Sequence, residues 1–211
     1  MEHNVVAPLP WMKSPVLPVA TISDVAHAVP LARALSSGGI SVIEVVLRTP
    51  CSLQAIERIR SEVPDITVGA GTLVTPRDVD EAVAAGAQFL VSPGATPEVR
   101  GSMTESGLPA LPGAATVTEL MSLIDHGYEH AKLFPAESSG GISYIRALGS
   151  VVPHIKLCPT GGIDQANAPS YLNEPNVMCV GGSWLIPDRA ALDGRWEQVS
   201  ALAAQAAALA R

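Results

Sequence analysis

Short apolar runs recur along the chain every 21 to 25 residues, beginning near positions 16, 41, 66, 88, 109, 130, 154 and 177. Between them lie stretches whose apolar residues return at helical spacing. A short run bounded by turn residues predicts a strand, and a longer periodic stretch predicts a helix. Strands are therefore expected at 16–21, 41–48, 66–72, 88–92, 109–113, from 130, at 154–159 and at 177–180. Helices are expected at 24–37, 52–63, 77–85, 97–106, 117–126, 141–148, 164–171 and 187–210. Pro30 should restart or kink the first helix, and Gly38-Gly39 should end it. Residues 1–15 hold three prolines and little periodicity, which predicts an irregular arm with one helical turn.

The strand runs are continuously apolar rather than alternating. Such strands are covered on both faces, as in a parallel sheet flanked by helices. Eight strand–helix units within 211 residues predict one compact domain, a parallel eight-stranded (β/α)8 TIM barrel over 1–211 with 1–15 as its arm. A doubly wound open sheet has the same alternation. It would want a glycine-rich fingerprint after the first strand, and Thr21-Ile22-Ser23-Asp24 is not one.

Composition adds limits. Hydrophobic residues make up 47% and aromatics only 4%, so the core should be large and aliphatic. The net charge of −7, with no basic stripe, argues against a nucleic-acid partner. No apolar run reaches the ~18 residues of a spanning helix. The N-terminus lacks the basic and apolar regions of a signal peptide. Cys51, Cys158 and Cys179 are too scattered for a metal or redox motif and read as reduced thiols. These features predict a cytoplasmic protein with no membrane partner. The five histidines show no ligand spacing, so no metal or other cofactor is expected. There is no G-x-S-x-G elbow either.

In a barrel of this kind the chemistry lies at the C-terminal strand ends. Only three lysines occur: Lys13, Lys132 and Lys156. Two of them stand in apolar strands and in the same context, K-L-F-P at 132–135 and K-L-C-P at 156–159. A buried ammonium either finds a partner or gives up its proton, and as a free amine it can form a Schiff base. Spacing alone does not say which lysine does so. On the second strand, alternation puts Glu44, Val46 and Arg48 on one face, as a structural ion pair or as chemistry. Gly69-Ala70-Gly71-Thr72 ends the third strand, in a turn or a close approach to a ligand. Ser92-Pro93-Gly94 and Pro112-Gly113 fit wall-forming turns. Strands seven and eight end in Thr160-Gly161-Gly162 and Gly181-Gly182-Ser183. Paired glycines with neighbouring hydroxyls expose backbone N–H groups and suit an anion nest, although tight turns would also use them.

Taken in order, these strand ends resemble the 2-keto-3-deoxy-6-phosphogluconate (KDPG) aldolase family, also called 4-hydroxy-2-oxoglutarate aldolases. The matching stretches are E-V-V-L-R-T at 44–49, G-A-G-T at 69–72, S-P-G at 92–94, K-L-F-P-A-E at 132–137, C-P-T-G-G-I at 158–163 and G-G-S-W-L at 181–185. They cover about residues 16 to 187. Leu133 stands where many relatives carry Phe. The resemblance implies a class I aldolase that needs no metal, with Lys132 as the Schiff-base lysine and Glu44 moving protons. It implies that Arg48 and Thr72 hold the pyruvyl carboxylate and that Pro93 and Phe134 wall the site. Thr160 would meet the substrate hydroxyls, and Gly161, Gly162, Gly181, Gly182 and Ser183 would surround the distal phosphate. The substrate would be a phosphorylated keto acid, cleaved to pyruvate and glyceraldehyde 3-phosphate, and the assembly a homotrimer. A same-family aldolase acting on the galactonate epimer or on unphosphorylated 4-hydroxy-2-oxoglutarate is the near alternative. A non-catalytic phosphate-binding barrel is the distant one; it leaves Lys132, Glu44 and Arg48 unexplained.

Overall fold

In a computed structural model, which describes residues 9–187 and 193–209, the apolar runs form short parallel strands and the periodic stretches form helices. The strands are β1 Val16–Ala20, β2 Val42–Val46, β3 Thr67–Gly71, β4 Leu90–Val91, β5 Ala110–Leu111, β6 Gly113–Ala114, β7 His130–Leu133, β8 Lys156–Pro159 and β9 Val180–Gly182. The helices are α1 Ala28–Ser37, α2 Ser52–Glu62, α3 Pro76–Ala84, α4 Pro97–Glu105, α5 Val117–Asp125, α6 Gly141–Val151, α7 Ala168–Leu172 and α8 Trp196–Ala207. Of the N-terminal arm, residues 1–8 lie outside the described residues, and Pro10–Met12 forms one 3-10 turn. The expected final helix, 187–210, is realised as α8; residues 188–192 and 210 of it lie outside the described residues.

Several helices begin within a few residues of a strand because their first N–H groups are capped by side chains. Thr75 with Asp78 and Thr116 with Glu119 close reciprocal capping boxes at α3 and α5, and Thr96 caps α4. Pro76 and Pro97 occupy first-turn positions where a missing N–H costs nothing. Pro30 does the same in α1. The restart or kink expected there falls just ahead of it, where a 3-10 turn, Val25–His27, gives way to the α-helix at Ala28.

The expected closed eight-stranded barrel is not what the strands form. All pairings are parallel, but they make two sheets: six strands in the order β5-β4-β3-β2-β1-β9, and three in the order β6-β7-β8. The fifth predicted strand, 109–113, is split by Pro112, which has no N–H to give a ladder. On one side of Pro112, Leu111 accepts from Ser92 beside β4; on the other, the Pro112 carbonyl accepts from Lys132 in β7. The chain thus changes partner at the proline. The eighth predicted strand, 177–180, changes partner too. Met178 donates to Leu157, whereas Val180 donates to Pro15, so β9 starts at Val180 and meets the β8 side only through the bridges Leu157–Val177 and Thr160–Gly181.

A continuous core of buried, mostly aliphatic side chains runs from Trp11 to Ala206. Trp11 covers the start of the strands, its ring packing on Phe89 and His130. Phe89 in turn fills the space that a side chain at Gly69 would need. The opposite end is left to the loops. Among the described residues, no helix is long and apolar enough to cross a membrane.

Candidate active site

Glu44 is the third residue of β2 and Lys132 the third of β7, so the two come from different sheets. Their side chains meet across the interior. The Lys132 ammonium donates to Glu44 Oε1 at 3.0 Å, with side-chain exposures of 7% and 0%. The Phe134 ring centroid lies 5.7 Å from the same ammonium, within cation–π range. Glu44 Oε2 is buried and has no partner among the described residues. An unmet buried carboxylate oxygen costs stability, and here it leaves one lone pair beside an amine for a proton to come and go.

Lys156 does not share this environment. It is the first residue of β8, exposed, and its ammonium donates to the Pro175 carbonyl. The two K-L-x-P segments are out of step by two residues: His130 pairs with Lys156, and Lys132 pairs with Cys158.

Arg48 and Thr72 follow the ends of β2 and β3. The Leu47 N–H donates to the Gly71 carbonyl, which brings these two ends side by side. Arg48 is exposed, and its guanidinium has no ion-pair partner among the described residues. Thr72 has a φ of 63°, a region that β-branched residues rarely enter and that costs ~1–3 kcal/mol. Pro93 is half-buried after β4. Its carbonyl carbon would lie 2.3 Å from a Cβ at Gly113, and Gly113 is in register with Lys132. Pro93, Gly113 and Lys132 therefore form one row across the strand ends.

Gly161 and Gly162 have φ of 98° and 80°, and no protein acceptor among the described residues takes their N–H groups. The neighbouring loop joins them through the Thr160–Gly181 bridge. Thr160 is buried, and its hydroxyl fills the space beside Gly181, where a Cβ would fall 2.1 Å away. Gly182 has a different reason to be glycine: a Cβ there would lie 1.8 Å from the Trp184 ring. Ser183 is exposed beside it. All twelve residues expected from the sequence thus sit within or just beyond the C-terminal ends of strands, with Lys132 and Glu44 in contact.

Three further residues contribute through contacts that spacing does not specify. A Cβ at Gly71 would lie 2.0 Å from Glu44 Oε1, so Gly71 makes room for this protein's own carboxylate. The buried Ser92 hydroxyl accepts from the Gly113 N–H at 3.2 Å and holds the row beside Lys132. The Tyr171 hydroxyl donates to Glu137 Oε1 just beyond β7.

The sequence profile of the KDPG and KHG aldolases matches residues 10–202. The chain is 50% identical over 198 residues to a 2-dehydro-3-deoxy-phosphogluconate aldolase of Pseudoalteromonas atlantica, covering 94% of this chain and 92% of that one. Among solved structures, it is similar to the Legionella pneumophila KDPG aldolase with pyruvate captured at low pH as a covalent carbinolamine intermediate. That likeness has a TM-score of 0.92 at 44% identity, over 94% of this chain and 96% of the other. The Zymomonas mobilis KDPG aldolase with 3-phosphoglycerate gives 0.89 at 42% identity, over 95% and 94%.

Proposed function

Because the chain belongs to the KDPG and KHG aldolase family, we propose that it is a Schiff-base aldolase that cleaves 2-keto-3-deoxy-6-phosphogluconate to pyruvate and glyceraldehyde 3-phosphate. The observation that carries this reading is the buried 3.0 Å contact between Lys132 and Glu44. It puts the only buried lysine among the described residues against a carboxylate that can take its proton. The covalent carbinolamine of the Legionella relative supports the same chemistry.

Glu44 takes a proton from Lys132, and the free amine attacks the C2 ketone. Glu44 then protonates the carbinolamine hydroxyl, which leaves as water, and an iminium forms. The Glu44 carboxylate next removes the C4 hydroxyl proton. The C3–C4 bond breaks, its electrons pass to the iminium, and glyceraldehyde 3-phosphate departs from an enamine. Glu44 returns the proton to C3, and water releases pyruvate. Arg48 and Thr72 hold the keto-acid carboxylate, the guanidinium through a two-pronged contact. Pro93 and Phe134 wall the reacting carbons, and Thr160 meets the substrate hydroxyls. The N–H groups of Gly161 and Gly162, with Gly181, Gly182 and the Ser183 hydroxyl, take the phosphate.

Borohydride added with pyruvate should fix a stable mass on the peptide that contains Lys132. A label on Lys156, or none, removes the reading. Relative rates on the galactonate epimer and on 4-hydroxy-2-oxoglutarate distinguish the same-family alternatives. The family pattern further suggests a cytoplasmic homotrimer, which sedimentation at a single chain mass would rule out.

Gly71 gives a separate expectation. Gly71→Ala should displace the Glu44 carboxylate by about an ångström and lower kcat by about 10²-fold, the cost of such a misplacement. Steady-state kinetics on a variant with an unchanged circular dichroism spectrum would check it. An unaltered kcat would mean that the position of Glu44 is not critical.

A further inference from the structure

Beyond the lysine centre, a second polar cluster ties the turn after β7 to the loop after β8. The Ala136 N–H donates to the Thr160 carbonyl at 2.8 Å, and the Glu137 N–H donates to the Gly161 carbonyl at 3.1 Å. Asn167 Nδ2 donates to the Gly162 carbonyl at 2.9 Å. In a trans peptide the N–H points away from the carbonyl of the same unit. Tying the Thr160 and Gly161 carbonyls to the turn after β7 therefore turns the Gly161 and Gly162 N–H groups away from that turn.

Glu137 also supports this loop with its side chain. A Cβ at Gly162 would fall 2.5 Å from Glu137 Cγ and 2.6 Å from its Cβ, so the Glu137 stem lies directly under the glycine. The carboxylate is held in turn by the hydroxyl of Tyr171, a fully buried residue of α7. Burial, and then the neighbouring carboxylate, push the Tyr171 hydroxyl well above its ordinary pKa, so it stays a donor. Gly141, at φ 60°, leaves room for the pair: a Cβ there would lie 3.3 Å from the Tyr171 oxygen.

We propose that Glu137 and Tyr171 are positioning residues that fix the Gly161–Gly162 turn, and so set affinity for the phosphorylated end of the substrate. This rests on the aldolase reading of the same site. The pair touches no reacting atom. Its loss should weaken binding of the phosphate while the lysine chemistry continues.

The test compares KM and kcat for the phosphorylated substrate with the rate of borohydride trapping by pyruvate, which has no phosphate. Tyr171→Phe and Glu137→Ala should each raise KM by about tenfold, the scale of one hydrogen bond to a charged group, with pyruvate trapping little altered. Glu137→Gln keeps the stem and an acceptor oxygen and should recover most of the loss. If Tyr171→Phe and Glu137→Ala leave KM unchanged, or slow trapping as much as they raise KM, the positioning role is overturned. Ser183→Asp tests the underlying reading, because a carboxylate in the nest should raise KM by more than ~10-fold through like-charge repulsion. Unchanged KM in Ser183→Asp would put the phosphate elsewhere and overturn the proposal together with that reading. A rise in Ser183→Asp without one in Tyr171→Phe or Glu137→Ala would overturn the positioning role alone.

Discussion

Lys132→Met should abolish aldol cleavage to the limit of detection, a loss on the order of 10⁵–10⁶-fold, as when a covalent nucleophile is removed from an enzyme of another class. Methionine fills most of the lysine's volume, so the row of Pro93 and Gly113 should keep its packing. What disappears is the amine, and with it the iminium that accepts electrons from the C3–C4 bond. Lys156 cannot stand in, because its exposed ammonium is turned to the Pro175 carbonyl. The same change should also lower stability. Glu44 is fully buried and bonded to Lys132, and removing one partner of such a pair costs ~3–5 kcal/mol. Urea unfolding would measure that loss. Adding Glu44→Gln to Lys132→Met should restore much of the stability and none of the activity. Measurable cleavage by Lys132→Met would show that the buried amine is not the nucleophile.

Glu44→Gln alone should lower kcat by ~10²–10⁴-fold, the usual range for losing a general acid–base. The amide is as large as the carboxylate, so it still occupies the space left by Gly71, and its oxygen still accepts from Lys132. The variant can hold the lysine but can neither take its proton nor return one to the carbinolamine. Pyruvate trapping should therefore slow along with turnover. Near-normal turnover with slow trapping, or the reverse, would separate roles that are here given to one residue.

Much of this site is legible in the sequence because strand-end motifs are local. The candidate residues stand within a few residues of the ends of β2, β3, β4, β7, β8 and β9, and their order follows the order of those strands. What is not legible depends on hydrogen-bond partners. Pro112 is visible in the sequence, yet nothing near it says that the chain leaves β4 on one side and joins β7 on the other. The two K-L-x-P segments look alike, yet a register offset of two residues buries Lys132 and exposes Lys156. Gly71 suggests a close approach, and the atom that approaches belongs to Glu44, on another strand 27 residues earlier. Tyr171 is unremarkable in its helix until α7 brings it against Glu137.

The origin of the proposed catalytic pair, Glu44 and Lys132, in separate sheets bears on how the protein is made. Synthesis runs from the N-terminus, so a growing chain presents Glu44 long before it presents Lys132, 88 residues later. A product cut short before β7 holds Glu44 without the Lys132 amine that it contacts in the folded protein. A product cut just after β7 has the amine but lacks β8, β9 and the glycine loops that follow them. The Lys132 amine thus gains the Glu44 carboxylate only when sequence from both sheets has been assembled.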